Sequence, residues 1–333
     1  ALMDLTRFED LPQVLEWFSP QAVEPFRLGE RLFALPEQEY FLAMFYRTDI
    51  LAELGLEIPQ TWEDLFDILY VLHQNSMDVG LPNVATSDAA QAGSGTELYT
   101  MFLFQNGGEF YNEEKSATLL DSNTALEAFE QLMSLYTKYK VTTQMNHWSR
   151  FRSGEAPIIL QPFTYYNTFE STAPELRGLW DMAPVPGTMR DGEINRTTSN
   201  VVTGSVIFAN AKDPEASWEF LKWWLSADTQ TAYSQGLENL MGPAARVPTA
   251  NLEAFERMSL PKDTLAMINT QRKQVKALPE VPGGYMVNRS INAAIRTTIS
   301  IGGNGSEILL DRNKLINKEI DLRRKEFGLD ERS

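Results

Sequence analysis

Short apolar runs alternate along this chain with much longer amphipathic stretches, and that alternation limits the fold more than any other feature. The run at 41–46, FLAMFY, is too short for a buried helix and reads as a strand. A short helix follows, ended by Gly55, with Pro59 closing the connection. TWEDLFDILYVLHQN then gives a helix start: Thr61 as N-cap, Asp64 three residues on, and Leu65, Ile68, Leu69 and Leu72 at helical spacing. A buried helix in ELYTMFLFQNGG stops at Gly107 and Gly108. The next carries Ser122 or Asn123 as cap and Ala125, Phe129, Leu132, Met133 and Tyr136 on one face. Strands are expected at 156–160 and in VTGSVIFA (202–209), and an irregular loop at 180–196. Asp213 and Pro214 open a long helix. The last helix has apolar spacing through Leu309, Leu315, Ile316, Ile320 and Phe327 and ends at Gly328. Such alternation predicts an α/β fold.

Length and composition narrow the function. The 333 residues leave room for two lobes with cores of their own, and 43% apolar residues with 11% aromatic exclude a disordered chain. Lys and Arg number 29 against 45 Asp and Glu, a net charge of −16. That surface repels nucleic acid and anionic membranes, so neither is expected as a partner; plain solubility accounts for the charge equally well. There is no cysteine, which excludes disulfides and thiolate metal sites. His73 and His147 are the only histidines and lie far apart, so no metal or other cofactor is expected. No apolar run reaches the ~18–20 residues of a membrane span. The opening ALMDLTRFEDLPQ, without initiator Met or signal peptide, reads as an internal fragment or a trimmed chain.

Catalytic signals are sparse. Glu37, Glu39 and Glu97 could supply a carboxylate pair of glycosidase type, which needs two acids flanking a glycosidic bond. QAGSGTE lacks the full pattern of a nucleophile elbow. IGGNGSE lacks the Lys-Ser/Thr of a phosphate loop and reads as a turn before the last helix. Recognition is better represented. QPFTYYN places Phe163, Tyr165 and Tyr166 between the amides of Gln161 and Asn167. Ring faces stack on sugar C–H faces while amides and carboxylates satisfy hydroxyls. The competing reading makes some of these rings core residues. If the segment is extended, Phe163 and Tyr165 share one side and Tyr166 takes the other.

Several segments in order resemble the extracellular solute-binding proteins of ABC sugar importers, the maltose-binding-protein-like family, in a Gram-positive subgroup. LFALPEQEYFLAMFYRTDILAELGLEIPQTWEDL, FLFQNGGEFYNEE, DPEASWEFLKWWLSADTQ, MGPAARVPT and the tail VPGGYMVNRSINAAIRTTI carry the likeness. The resemblance implies two α/β lobes with a hinge: 1–38 with 205–250, and 42–202 with 253–330, joined by crossings near 39–42, 202–205 and 250–253. It implies ligand contacts at Glu39, Tyr40, Thr96, Glu97, Gln161, Phe163 and Tyr165, and loop contacts at Arg246 and Tyr285. Trp218, Trp223 and Trp224 are expected to pack. The family opens with a strand-helix-strand unit without counterpart here, so the first lobe is expected to be incomplete. The function implied is capture of a carbohydrate, an oligosaccharide by expectation, without enzymatic activity. The protein would be a monomer working with ABC permease subunits, extracellular, and anchored as a lipoprotein or within a larger exported chain. A glycoside-active enzyme using Glu39 and Glu97, or a module presenting sugar to a sensor, are the alternatives.

Overall fold

The computed structural model describes residues 2–84 and 95–329. Residues 91–94 of the QAGSGTE stretch lie outside the described residues.

A single long strand, Leu35–Arg47, organises the molecule. Its first half pairs antiparallel with Thr198–Ser205, from Leu35 opposite Ser205 to Phe41 opposite Asn200, with a register irregularity between Pro36 and Gln38. On the other edge of that half, the Glu39 amide donates to the Pro248 carbonyl and the Ala250 amide to the Glu37 carbonyl, both at 2.9 Å. Three chain segments therefore run side by side at residues 37–41, 200–204 and 248–250. The second half of the strand pairs with Ile158–Pro162 on one edge and Trp180–Ala183 on the other. The main sheet is extended by Val79–Gly80 beside Ile158–Pro162 and by Val275–Lys276 beside Thr198–Ser205, both parallel.

Alternation along the strand divides the core. Leu42, Met44 and Tyr46 face one cluster, covered by the helices Trp62–Gln74, Gly95–Gln105, Asn123–Thr137, Tyr285–Ile301 and Gly305–Glu326. Phe41, Ala43 and Phe45 face a second cluster containing Phe163, Phe169, Phe255 and Ile268. A third cluster draws on the start of the chain and on a distant stretch: Met3, Leu5, Phe8, Leu35, Ile207, Trp218, Leu221 and Ala250. The folding signals act locally as expected. Thr61 accepts from the Asp64 amide while Asp64 accepts from the Thr61 amide, a complete capping box. Ser122, Asp213 and Asn304 each cap a helix through the side chain.

Three expectations shift. The strand expected at 202–209 is Thr198–Ser205, because pairing with the long strand continues upstream and ends at Leu35. The expected loop at 180–196 holds the strand Trp180–Ala183 and a small hairpin, Thr188–Arg190 with Glu193–Asn195. In the last helix Leu309, Ile316 and Ile320 are buried, but Leu315 and Phe327 face solvent. Gly204 sits where close packing requires it: a Cβ there would lie 2.7 Å from the Phe26 ring and 2.9 Å from the Ala34 methyl.

Candidate functional site

Of the residues that the sequence singled out, Glu39 and Tyr40 lie on the long strand where the three segments run side by side. Tyr40 lies on the long strand opposite Val201 and is partly buried against the second core cluster. Burial, and then the negative charge of Glu97, hold its phenol above the ordinary tyrosine range. Glu97 stands in the first turn of the helix Gly95–Gln105, where a carboxylate also complements the helix dipole. Thr96, beside it, is buried, and its hydroxyl points to the Asn288 carbonyl at 3.5 Å on the helix Tyr285–Ile301. Glu97 therefore lies near enough to Tyr40 for its charge to act on the phenol, while Thr96 turns its hydroxyl to Asn288.

The aromatic stretch behaves differently from an extended platform. The strand Ile158–Pro162 ends just before it, and the helix Tyr165–Thr172 begins within it. The Phe163 amide donates to the Phe41 carbonyl at 3.1 Å, which turns the chain off the sheet. Phe163 itself is 3% exposed, its ring 5.1 Å from that of Phe41 and edge-on to Phe255 at 5.9 Å. In this conformation it offers no face to a ligand: it is a core residue. Gln161 is also buried, opposite Ala43. Tyr165 remains partly exposed, its ring edge-on to Phe169, and lies against the same cluster as Tyr40.

Glu39 departs from its expected role. As the odd-numbered neighbour of Tyr40 it points to the opposite face of the strand, where the helix Lys262–Arg272 covers it. Its carboxylate is 1% exposed, accepts from the Asn200 amide group at 2.7 Å and lies 3.5 Å from Arg272 Nε. The Arg272 guanidinium sits 4.0 Å over the Phe255 ring. Burial pushes the Glu39 carboxyl above its usual range, against the pull of Arg272 and Asn200, and pushes Arg272 down. A carboxylate so enclosed neither touches a sugar nor serves as acid or base to one.

The two loop residues are also engaged within the protein. Arg246 donates through Nε and Nη2 to Glu238 at 3.0 and 2.7 Å, and through Nη1 to Glu170. This buried cation ties the helix Ala227–Met241 to the helix Tyr165–Thr172. Tyr285 is exposed and its hydroxyl donates to Glu319 on the last helix. Asn200, Arg272, Glu170 and Glu238 were not found from sequence. Asn200 alone left a signal, an amide inside the strand that returns past Tyr40.

A cavity of about 620 Å³ opens between Pro20, Gln21 and Glu24 on one side and Phe104, Tyr111 and Lys276 on the other. Phe104 lies at the far end of the helix that starts with Thr96 and Glu97, roughly 12 Å along at 1.5 Å per residue. Cavity and Tyr40–Glu97 cluster are therefore separate.

Comparison with known proteins identifies the family and the fold. The family model of the bacterial extracellular solute-binding proteins matches residues 1–254. No curated protein sequence matches the chain. Solved structures match it throughout. The sugar-binding protein MalE from Xanthomonas citri aligns with a TM-score of 0.78 at 18% identity, over 98% of this chain and 81% of its own. The cyclic α-maltosyl-1,6-maltose binding protein from Arthrobacter globiformis gives 0.76 and 19%, over 96% and 80%. An ABC transporter solute-binding protein from Thermotoga lettingae, bound with α-D-tagatose, gives 0.71 and 16%, over 96% and 80%. The fold is the two-lobed α/β fold of these proteins, and the chain belongs to the bacterial extracellular solute-binding proteins.

Proposed function

We propose that this protein captures a carbohydrate, an oligosaccharide by the size of the ligands named for its neighbours, and delivers it to an ABC importer without transforming it. The observation that carries the reading is the approach of Glu97 to Tyr40 on the long strand, with Tyr40 and Tyr165 both packed, partly exposed, on the core cluster of Phe41 and Phe163. A ring and a carboxylate meet needs of a pyranose, and the enclosed Glu39 offers no second carboxylate beside them. The lobes would be 1–38 with 205–250 and 42–202 with 253–330, closing about the crossings near 39–42, 202–205 and 250–253. Permease subunits are its partners in this reading. The protein acts as a monomer outside the cell, held there as a lipoprotein or as part of a larger exported chain. Similar proteins carrying α-D-tagatose, cycloalternan and maltose support the ligand class.

The test is calorimetry against those sugars for the wild type, Tyr40→Ala, Glu97→Gln and Tyr165→Ala. Saturable binding that each substitution weakens about fivefold or more is expected, since a stacked ring contributes on the order of 1 kcal/mol. Binding to none of them, or hydrolysis of a bound sugar abolished by Glu97→Gln, overturns the proposal.

A further inference from the structure

Tyr166, the third ring of QPFTYYN, lines a pocket of its own. With Phe169, Glu170 and Ala173 it falls at helical spacing on one face of the helix Tyr165–Thr172. Across from that face stand Arg177, Trp180 and Asp181, and the space between is about 300 Å³. Such a volume is at the lower end of the range for small-ligand sites. Tyr165 is not among the walls. The Trp180 ring lies 6.0 Å from that of Phe45, which is five residues along the strand from Tyr40. At 3.3 Å per residue that is roughly 16 Å, so the pocket is separate from the Tyr40–Glu97 site.

Its walls combine aromatic rings with two opposite charges held apart. The Tyr166 and Trp180 rings meet edge-on at 5.3 Å, and both are only partly buried. Phe169, itself buried, backs the Trp180 ring at 5.4 Å. The Tyr166 hydroxyl is engaged by Thr264 and the Glu170 carboxylate by Arg246. Arg177 and Asp181 are exposed on the rim, and among the described residues neither forms an ion pair. Asp181 Oδ1 accepts from the Met182 amide at 2.8 Å, which leaves Oδ2 for a donor from outside. Gly178, at φ +79°, turns the chain between these two charges without a side chain to fill the mouth. A ligand of either charge would gain at one of the two and lose at the other. A neutral ring with one C–H face and a rim of hydroxyls satisfies all three parts: the indole, the guanidinium donor and the carboxylate acceptor.

We propose that this pocket is a second carbohydrate site, which takes a single pyranose ring stacked on Trp180, with hydroxyls donating to Asp181 and accepting from Arg177. It stands whether or not the Tyr40–Glu97 site holds sugar. The experiment is fluorine NMR of the protein labelled with 5-fluorotryptophan, in which Trp180→Phe identifies the Trp180 signal by its loss. Methyl α-D-glucopyranoside is titrated into the wild type, Tyr40→Ala, Arg177→Met and Asp181→Asn. The expected result is a saturable shift of the Trp180 signal that persists in Tyr40→Ala and whose affinity each rim substitution weakens about fivefold or more. No saturable shift, a shift lost in Tyr40→Ala, or a shift unaffected by both rim substitutions overturns the proposal. An equal shift with acetate or tetramethylammonium at the same concentration overturns it too. Both rim residues are exposed, so the two substitutions leave the core intact. Sugar binding that calorimetry finds insensitive to Tyr40→Ala would refute the crossing site and leave this one standing.

Discussion

Exchanging Glu39 for Gln tests how the crossing is held together. Glu39 Oε2 and Arg272 Nε lie 3.5 Å apart, and neither has a hydrogen-bond partner. At that distance an effective dielectric constant of ~20 gives an attraction of about 5 kcal/mol. Desolvating the two ions costs several kcal/mol each, so the pair comes close to break-even. Losing one partner is a different matter. Glu39→Gln keeps the size and the acceptor for Asn200 but removes the nearest counter-charge of the buried guanidinium, leaving only the weaker pull of Glu256, so a loss of about 3 kcal/mol is expected. Arg272→Met should cost a similar amount at neutral pH, including the cation over Phe255. The double variant removes both charges and should cost at least 2 kcal/mol less than the two single losses added, far beyond the ~0.5 kcal/mol error of additivity.

Urea denaturation of the four proteins supplies the cycle, and pH gives a second reading. The folded Glu39 carboxyl titrates above its ordinary value, so the folded chain holds that proton more tightly than the unfolded one. Its contribution is therefore full below about pH 4 and is lost as pH rises through the folded value. Without Arg272 the carboxyl rises further, so the penalty of Arg272→Met should shrink as the pH is lowered toward about 4. Strict additivity of the single losses, or a pH-independent penalty for Arg272→Met, would refute the ion-pair account.

Phe163→Ala should cost about 3–5 kcal/mol in chemical denaturation while the sugar affinity of the folded fraction stays unchanged, because both neighbours of the ring are core aromatics. Tyr165→Ala should do the reverse, weakening affinity about fivefold in calorimetry with a small change in melting temperature. Arg246→Met should lower stability by about 3 kcal/mol, since it strands Glu170 and Glu238 near one another; a loss under about 1 kcal/mol would mean that the cluster is solvated. Small-angle scattering should show the protein compacting when a bound sugar is added, and an unchanged radius with binding confirmed on the same sample would count against lobe closure.

Local signals were legible because their causes are local. The Thr61 capping box, the Asp213 cap and the apolar faces of the helices follow from residues within a few positions of each other. The loop misread at 180–196 shows the limit. Its Pro and Gly residues do mark turns, yet Trp180–Ala183 becomes a strand because the long strand has an edge free beside Met44 to Arg47. Partners so distant in sequence leave no local trace.

The same limit decides the site. Alternation alone says that Glu39 and Tyr40 point to opposite faces of their strand. It does not say which face is closed, because that depends on the helix Lys262–Arg272 arriving from the other end of the chain. Once that helix covers the odd face, Glu39 becomes the inner charge facing Arg272, and Phe163 is enclosed with Phe41 and Phe255. Tyr40 is left facing Glu97. The covering helix therefore determines which of the residues singled out from the sequence stay enclosed in the core. Removing its lid residue, as in Arg272→Met, should accordingly disturb stability long before it disturbs the contacts of Tyr40.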